Sequence, residues 1–124
     1  MSHLVTIQCE IRDKSVVALA CKRLGLDSPA EGTAELFSSQ ATGQIVRLPR
    51  WTYPVVFDTE RANVLFDNYQ GKWGDSKELE KFFQAYAVEN AKLEARKLGR
   101  SATEQELADG WIKVSIQVGE GASL

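Results

Sequence analysis

The feature that most constrains the fold is the stretch Ser76 to Leu98, which has to be a long helix lying on something. Leu79, Phe82, Phe83, Tyr86, Ala87 and Ala91 recur at helical spacing and make one broad apolar face that drifts toward Leu98. The other side carries Glu78, Lys81, Glu89, Lys92, Glu94, Arg96 and Lys97, a solvated charged face. Asp75 stands where an N-cap belongs, and with Glu78 it forms a capping-box-like pair. Gly99 ends the run. A helix this long and one-sided needs a sheet or other helices against it.

The rest of the chain supplies the partner. Val5, Ile7, Cys9 and Ile11 alternate with polar neighbours across residues 4 to 11, the pattern of a half-buried strand. Asp13 caps a short helix to Leu24, with Val17, Ala20, Cys21 and Leu24 as its stripe and Gly25 as its left-handed stop. Asp27 to Gly32 reads as loop. Strands at Thr33 to Ser39 and Gln44 to Leu48 then flank Gln40-Ala41-Thr42-Gly43 as a hairpin turn. Pro49 and Pro54 bracket a connecting loop or edge, Arg50-Trp51-Thr52-Tyr53. Val55 to Asp58 and Ala62 to Phe66 make a second hairpin, and Ala102 to Leu107 with Trp111 to Val118 a third, turned by Asp109-Gly110. In the last strand Ile112, Val114, Ile116 and Val118 form the core set, and residues 119 to 124 fray.

Two helices separated by a meander of amphipathic strands imply an α+β fold: a two-layer sandwich, with one antiparallel sheet carrying both helices on one face. The ferredoxin-like arrangement with extra strands is the simplest closed solution. The 124 residues form a single domain, and 44% apolar with 26% charged residues suits one packed core. Cys9 and Cys21 read as reduced thiols, and with a single His the usual four-ligand zinc site cannot be assembled. No apolar run reaches the length of a membrane span and no signal peptide opens the chain, so a cytoplasmic protein is expected. His3 reads as a surface residue.

Catalytic sets are thin. Gly71-Lys72-Trp73-Gly74 lacks the spacing and the hydroxyl of a phosphate loop, and a lone His gives little support to a nucleophile pair. Asp67, Asp75 and Asp109 each have a structural role, ending a strand, capping a helix and making a turn. Asp67 and Asp75 also flank one loop, but too few oxygen ligands accompany them to favour a hard cation. No cofactor or metal is implied. The lead lies in the aromatics. Tyr69 and Trp73 occupy the polar junction Asp67-Asn68-Tyr69-Gln70-Gly71-Lys72-Trp73-Gly74-Asp75, and Trp51 and Tyr53 stand beside Arg47 and Arg50. Either these rings cover the edges of a small core, or they make a contact surface, since Trp, Tyr and Arg dominate interface hot spots. Glycines in the junction permit φ > 0 or close approach of a partner.

Three stretches resemble the hypothetical chloroplast reading frame thirty-five (Ycf thirty-five-like) family. They are Met1-Ser2-His3 with Ile11-Arg12-Asp13, the junction Asp67 to Asp75 with Gln84-Ala85-Tyr86-Ala87, and Asp109-Gly110-Trp111-Ile112-Lys113-Val114. Residues 27 to 58 show no match, and the loop Gly71 to Asp75 places the chain on a bacterial rather than a plastid branch. The resemblance implies a cytosolic or stromal domain of unknown function, with no catalytic residue to carry over. It also implies an accessory subunit beside a nucleotide-driven machine. The expectation is therefore a non-enzymatic interaction or accessory protein with a protein partner. Its binding residues are Tyr69, Trp73, Asp67 and Asn68, and its oligomeric state stays open. The alternative is a small-molecule or nucleic-acid module using Arg47, Arg50, Trp51 and Tyr53. The net charge of −2 weighs against nucleic acid, as does the lack of an RNA-recognition signature.

Overall fold

The computed structural model describes residues 4 to 117, so His3, Val118 and the tail 119 to 124 lie outside the described residues. Helix α1 is Lys14–Arg23, with the Asp13 carboxylate accepting from the Ser15 N–H at 2.9 Å. Its end is a Schellman motif. Gly25, at φ 70°, donates to the Lys22 carbonyl, and Leu26 donates to the Cys21 carbonyl. Helix α2 is Ser76–Lys97, opened by Asp75, whose carboxylate accepts from the Lys77 N–H at 2.9 Å. The reciprocal half of a capping box is replaced. The Glu78 carboxylate faces Arg50 and Lys81, at 3.5 and 3.6 Å.

The main sheet contains β1 (Val5–Gln8), β2 (Ala30–Glu35), β3 (Gln40–Val46), β4 (Val55–Asp58) and β5 (Asn63–Phe66). The order is β1-β5-β4-β3-β2, every neighbour antiparallel. The class is α+β, as expected, but the strand order is a meander closed by β1. A ferredoxin-like sheet interleaves two βαβ units and keeps its first strand inside. Here β1 is an edge, and Ile7 on it stays 40% exposed.

β4 is buried on both faces. Val55 and Phe57 point toward the helices, where they meet Val16, Val17, Ala20 and Cys21 of α1 and Leu79, Phe82, Ala85 and Tyr86 of α2. Phe57 stacks on Phe82 with centroids 4.8 Å apart. The helix face thus turns toward Ala85, while Ala87 is exposed. Each fully buried large side chain of this kind contributes about 1.5–3 kcal/mol. Cys9 and Cys21 are free thiols, and burial pushes the Cys21 thiol up to about 11.

Val56 points the opposite way, yet it too is fully buried, against Leu36 and Ala41. Leu36 and Ala41 sit at the far end of the β2–β3 hairpin, so that tip folds over the helix-free face of the sheet. The bend follows from two glycines. Gly32 pairs with Gly43 across the hairpin, and a Cβ on Gly43 would lie 2.4 Å from the Phe57 carbonyl oxygen. The turn expected at Gln40 to Gly43 is therefore strand. The chain reverses at Leu36–Ser39, where the Leu36 N–H donates to the Ser39 carbonyl at 2.8 Å.

The C-terminal hairpin, β6 (Ser101–Glu106) and β7 (Ile112–Gln117), forms a separate two-stranded sheet instead of extending the main one. It runs back along α2, and Gln84 donates to the Gly110 carbonyl at the tip. Ion pairs hold it. Glu104 receives both Arg23 of α1 and Lys92 of α2, and Arg23 also bonds Glu89 at 3.0 Å. Ile112 and Val114 are half-buried against α2, but Ile116, expected in the core set, is 42% exposed.

Candidate functional site

Two loops, 47–54 between β3 and β4 and 67–75 between β5 and α2, carry every candidate binding residue of the sequence analysis. They are joined directly, because the Thr52 N–H donates to the Trp73 carbonyl at 2.8 Å. The junction is tightly wound. The Asn68 carbonyl accepts from both Gly71 and Trp73, and the Asn68 side-chain amide donates to the Gly74 carbonyl at 3.3 Å. A single 3-10 turn, Tyr69–Gly71, follows with three successive positive φ values: 47° at Tyr69, 54° at Gln70 and 97° at Gly71. Only the glycine adopts this region without cost; each of the other two stores about 1–3 kcal/mol.

The winding gathers rings. Trp73 is the hub, with Tyr69 at 4.8 Å, Phe37 at 5.0 Å and Tyr53 at 5.5 Å between centroids, all tilted or edge-on. Phe37 comes from the tip of the β2–β3 hairpin and is 48% exposed. Tyr53 packs on the Leu36, Ala41 and Val56 cluster, so the rings sit on the helix-free side of the sheet. Lys72 places its ammonium 4.6 Å from the Tyr69 ring centroid, a cation–π contact.

Asp67 lies beneath this winding. It directly follows Phe66, the last residue of β5, and precedes the turn that carries Tyr69. The residue is 1% exposed. Its Oδ1 accepts from the Tyr69 N–H at 3.4 Å, a long bond, and its Oδ2 is buried with no donor among the described residues. A buried carboxylate oxygen without a partner is rare in folded proteins.

The other nominated residues go elsewhere. Trp51 turns to the helix side, where its indole meets Phe66 at 5.7 Å and lies flat on Gly74; a Cβ there would be 2.3 Å from the ring. Its Nε1–H donates to the Asp75 carbonyl at 3.1 Å. Gly74 thus admits the chain's own tryptophan, and of the two junction glycines Gly71 is the one with a positive φ. Arg50 adopts φ 62° and faces Glu78, while Arg47 is exposed. Arg47, Arg50, Trp51 and Tyr53 therefore form no common face. Asp75 is exposed and engaged in its cap, and Asp109 accepts from the Trp111 N–H in its turn. Among the described residues no three His, Cys, Asp or Glu side chains gather to hold a metal ion.

Phe37 was not legible as a site residue, because it reads as one more apolar position in a strand. Two open concavities lie away from the loops. One of about 630 Å³ is bounded by Arg12, Asp13, Tyr86, Asn90 and Glu94, where the Tyr86 hydroxyl accepts from the Arg12 and Asp13 N–H groups at 3.2 Å. The other, about 620 Å³, runs between α2 and the C-terminal turn, past Lys77, Phe83, Ala87 and Trp111. Comparison with protein-family models, with curated proteins and with solved structures finds no match. Among the described residues no helix is long and apolar enough to cross a membrane.

Proposed function

We propose that this is a non-enzymatic interaction or accessory protein of the cytoplasm, in the manner of the Ycf thirty-five-like family, that docks a protein partner through the aromatic loop. The supporting observation is the convergence of Phe37, Tyr53, Tyr69 and Trp73 on a loop held in a costly conformation. A chain keeps such strain where the surrounding structure fixes a particular presentation of side chains. Partly exposed Tyr and Trp rings gathered on one loop fit hot-spot chemistry. The alternative module of Arg47, Arg50, Trp51 and Tyr53 draws less support, because Trp51 belongs to the helix-side core.

Cross-linking and affinity capture with wild type, Trp73→Ala and Trp111→Ala test the reading. A partner lost with Trp73→Ala and kept with Trp111→Ala is the expected result, with unchanged far-UV circular dichroism in all three. Identical capture by all three removes the aromatic loop as the contact.

A further inference from the structure

The reading above leaves the chemistry of the partner open. We infer that the aromatic loop receives a lysine side chain of the partner protein, with Asp67 Oδ2 as the acceptor of its ammonium and Tyr69 and Trp73 as its walls. The inference rests on that reading of the loop and adds the class of group recognised.

Three observations carry it. First, Asp67 is 1% exposed, and its Oδ2 has no donor among the described residues. An acceptor already stripped of water gains more from an incoming donor than a solvated one does, because its own desolvation is complete beforehand. Second, the rings beside it suit a cation. The Tyr69 face already holds the Lys72 ammonium of its own chain at 4.6 Å, and Lys72 is otherwise exposed. A carboxylate oxygen with π faces repels anions, which separates this site from a phosphate or nucleic-acid contact. Third, the segment that follows Asp67 and bonds its Oδ1 is the strained one. Tyr69 and Gln70 at φ 47° and 54° store conformational energy that is released when the turn opens, so access to Oδ2 is offset by relaxation of those two residues. With Oδ1 engaged by the Tyr69 N–H, a single oxygen remains. One acceptor suits the compact ammonium of lysine better than the two-pronged guanidinium of arginine.

The test titrates isotope-labelled full-length protein with n-butylammonium, with n-butylguanidinium and, as the ionic-strength control, with sodium chloride. The readouts are the Tyr69 amide and Trp73 indole resonances. Saturable shifts with butylammonium in the millimolar range are expected, with weaker butylguanidinium binding and no saturation with sodium. Asp67→Asn should weaken the binding roughly tenfold, the scale of one charge-assisted hydrogen bond. Lys72→Met, at an exposed position, should tighten it two- to threefold by removing the internal competitor, an order-of-magnitude expectation from exposed cation–π strengths. Absence of saturation overturns the proposal, as does butylammonium binding unchanged in a folded Asp67→Asn. A preference for butylguanidinium overturns the assignment to lysine. Should Asp67→Asn not fold, unchanged affinity in Lys72→Met has the same force. Failure of the titration alongside a Trp73-dependent partner leaves the interaction reading standing and removes only the cation. A saturable ammonium site without such a partner does the reverse.

Discussion

Two hairpins fold back onto the body of this protein, from opposite sides and by opposite means. The β2–β3 tip lies on the helix-free face of the sheet through Leu36, Ala41 and Phe37, apolar groups closing over Val56 and Trp73. The β6–β7 hairpin lies along α2 through Glu104, with Arg23 and Lys92 as its counter-ions and a bond from Gln84. The first attachment removes apolar area from water and scales with that area. The second is largely charge on a partly exposed surface, where pairing, side-chain entropy and salt nearly balance. The β2–β3 tip should therefore come away only when the protein unfolds. The β6–β7 hairpin should open alone.

The sharpest way to break this comparison is Leu36→Ala. Leu36 is 4% exposed, so the loss should be about 2–5 kcal/mol and should appear in the global urea transition. Gly43→Ala comes next, costing about 1–3 kcal/mol, because the added methyl must displace the Phe57 carbonyl. Both variants should lower the melting temperature of the whole protein by circular dichroism, and a loss confined to the tip would show that it is no more integral than the other hairpin.

On the opposite side the effects shrink and become local. Glu104→Gln should cost under about 1 kcal/mol globally while accelerating amide hydrogen exchange in 101–106 and 112–117. Acid should have the same effect. The Arg23 hydrogen bond, reinforced by that from Lys92, holds the Glu104 carboxyl down at about 2, against an ordinary 4.5. A depressed pKa gives stabilisation that is complete above the ordinary value and is lost as the pH falls through the folded one. Hairpin protection should therefore decline from about pH 4.5 toward about pH 2, and 1 M salt at neutral pH should reproduce part of the loss. The smallest effect belongs to Trp111→Ala. That side chain is 62% exposed, and its removal should shift stability by no more than about 0.5 kcal/mol in the same urea titration.

How far the sequence reveals this depends on what kind of force places each element. Both helices are legible to within a residue, because caps and the Gly25 stop act locally: Asp13, Asp75 and Leu24–Leu26 behave as their chemistry dictates. The β4–β5 hairpin is equally plain. The β2–β3 turn is not. Gly43 looks like turn punctuation but is glycine for the sake of a neighbouring carbonyl, and the real turn, Leu36-Phe37-Ser38-Ser39, has no residue that advertises it. The same long-range folding of that tip hides Phe37 from any reading of the site. Tyr69 and Trp73 were legible as a pair, since large rings in a polar glycine-containing loop are conspicuous. Trp51 is the converse case: of the two readings open to it, covering a core edge or making a contact surface, its neighbourhood does not choose, because its partner Gly74 lies 23 positions on. The carboxylate of Asp67 looked like a strand terminator, and only the winding of the chain above it makes its second oxygen an orphan.

The facing pair Gly32 and Gly43 has a consequence for life in a crowded solution. An open sheet invites other chains to lengthen it at its rims. Here one rim, β2, leaves the plane of the sheet at the glycines, and the other, β1, is four residues long. Neither offers a flat row on which a stranger can template itself. The six-residue strands β6 and β7 contain no glycine, and with Ile116 and Trp111 exposed beside them they are where self-association of a concentrated sample should begin.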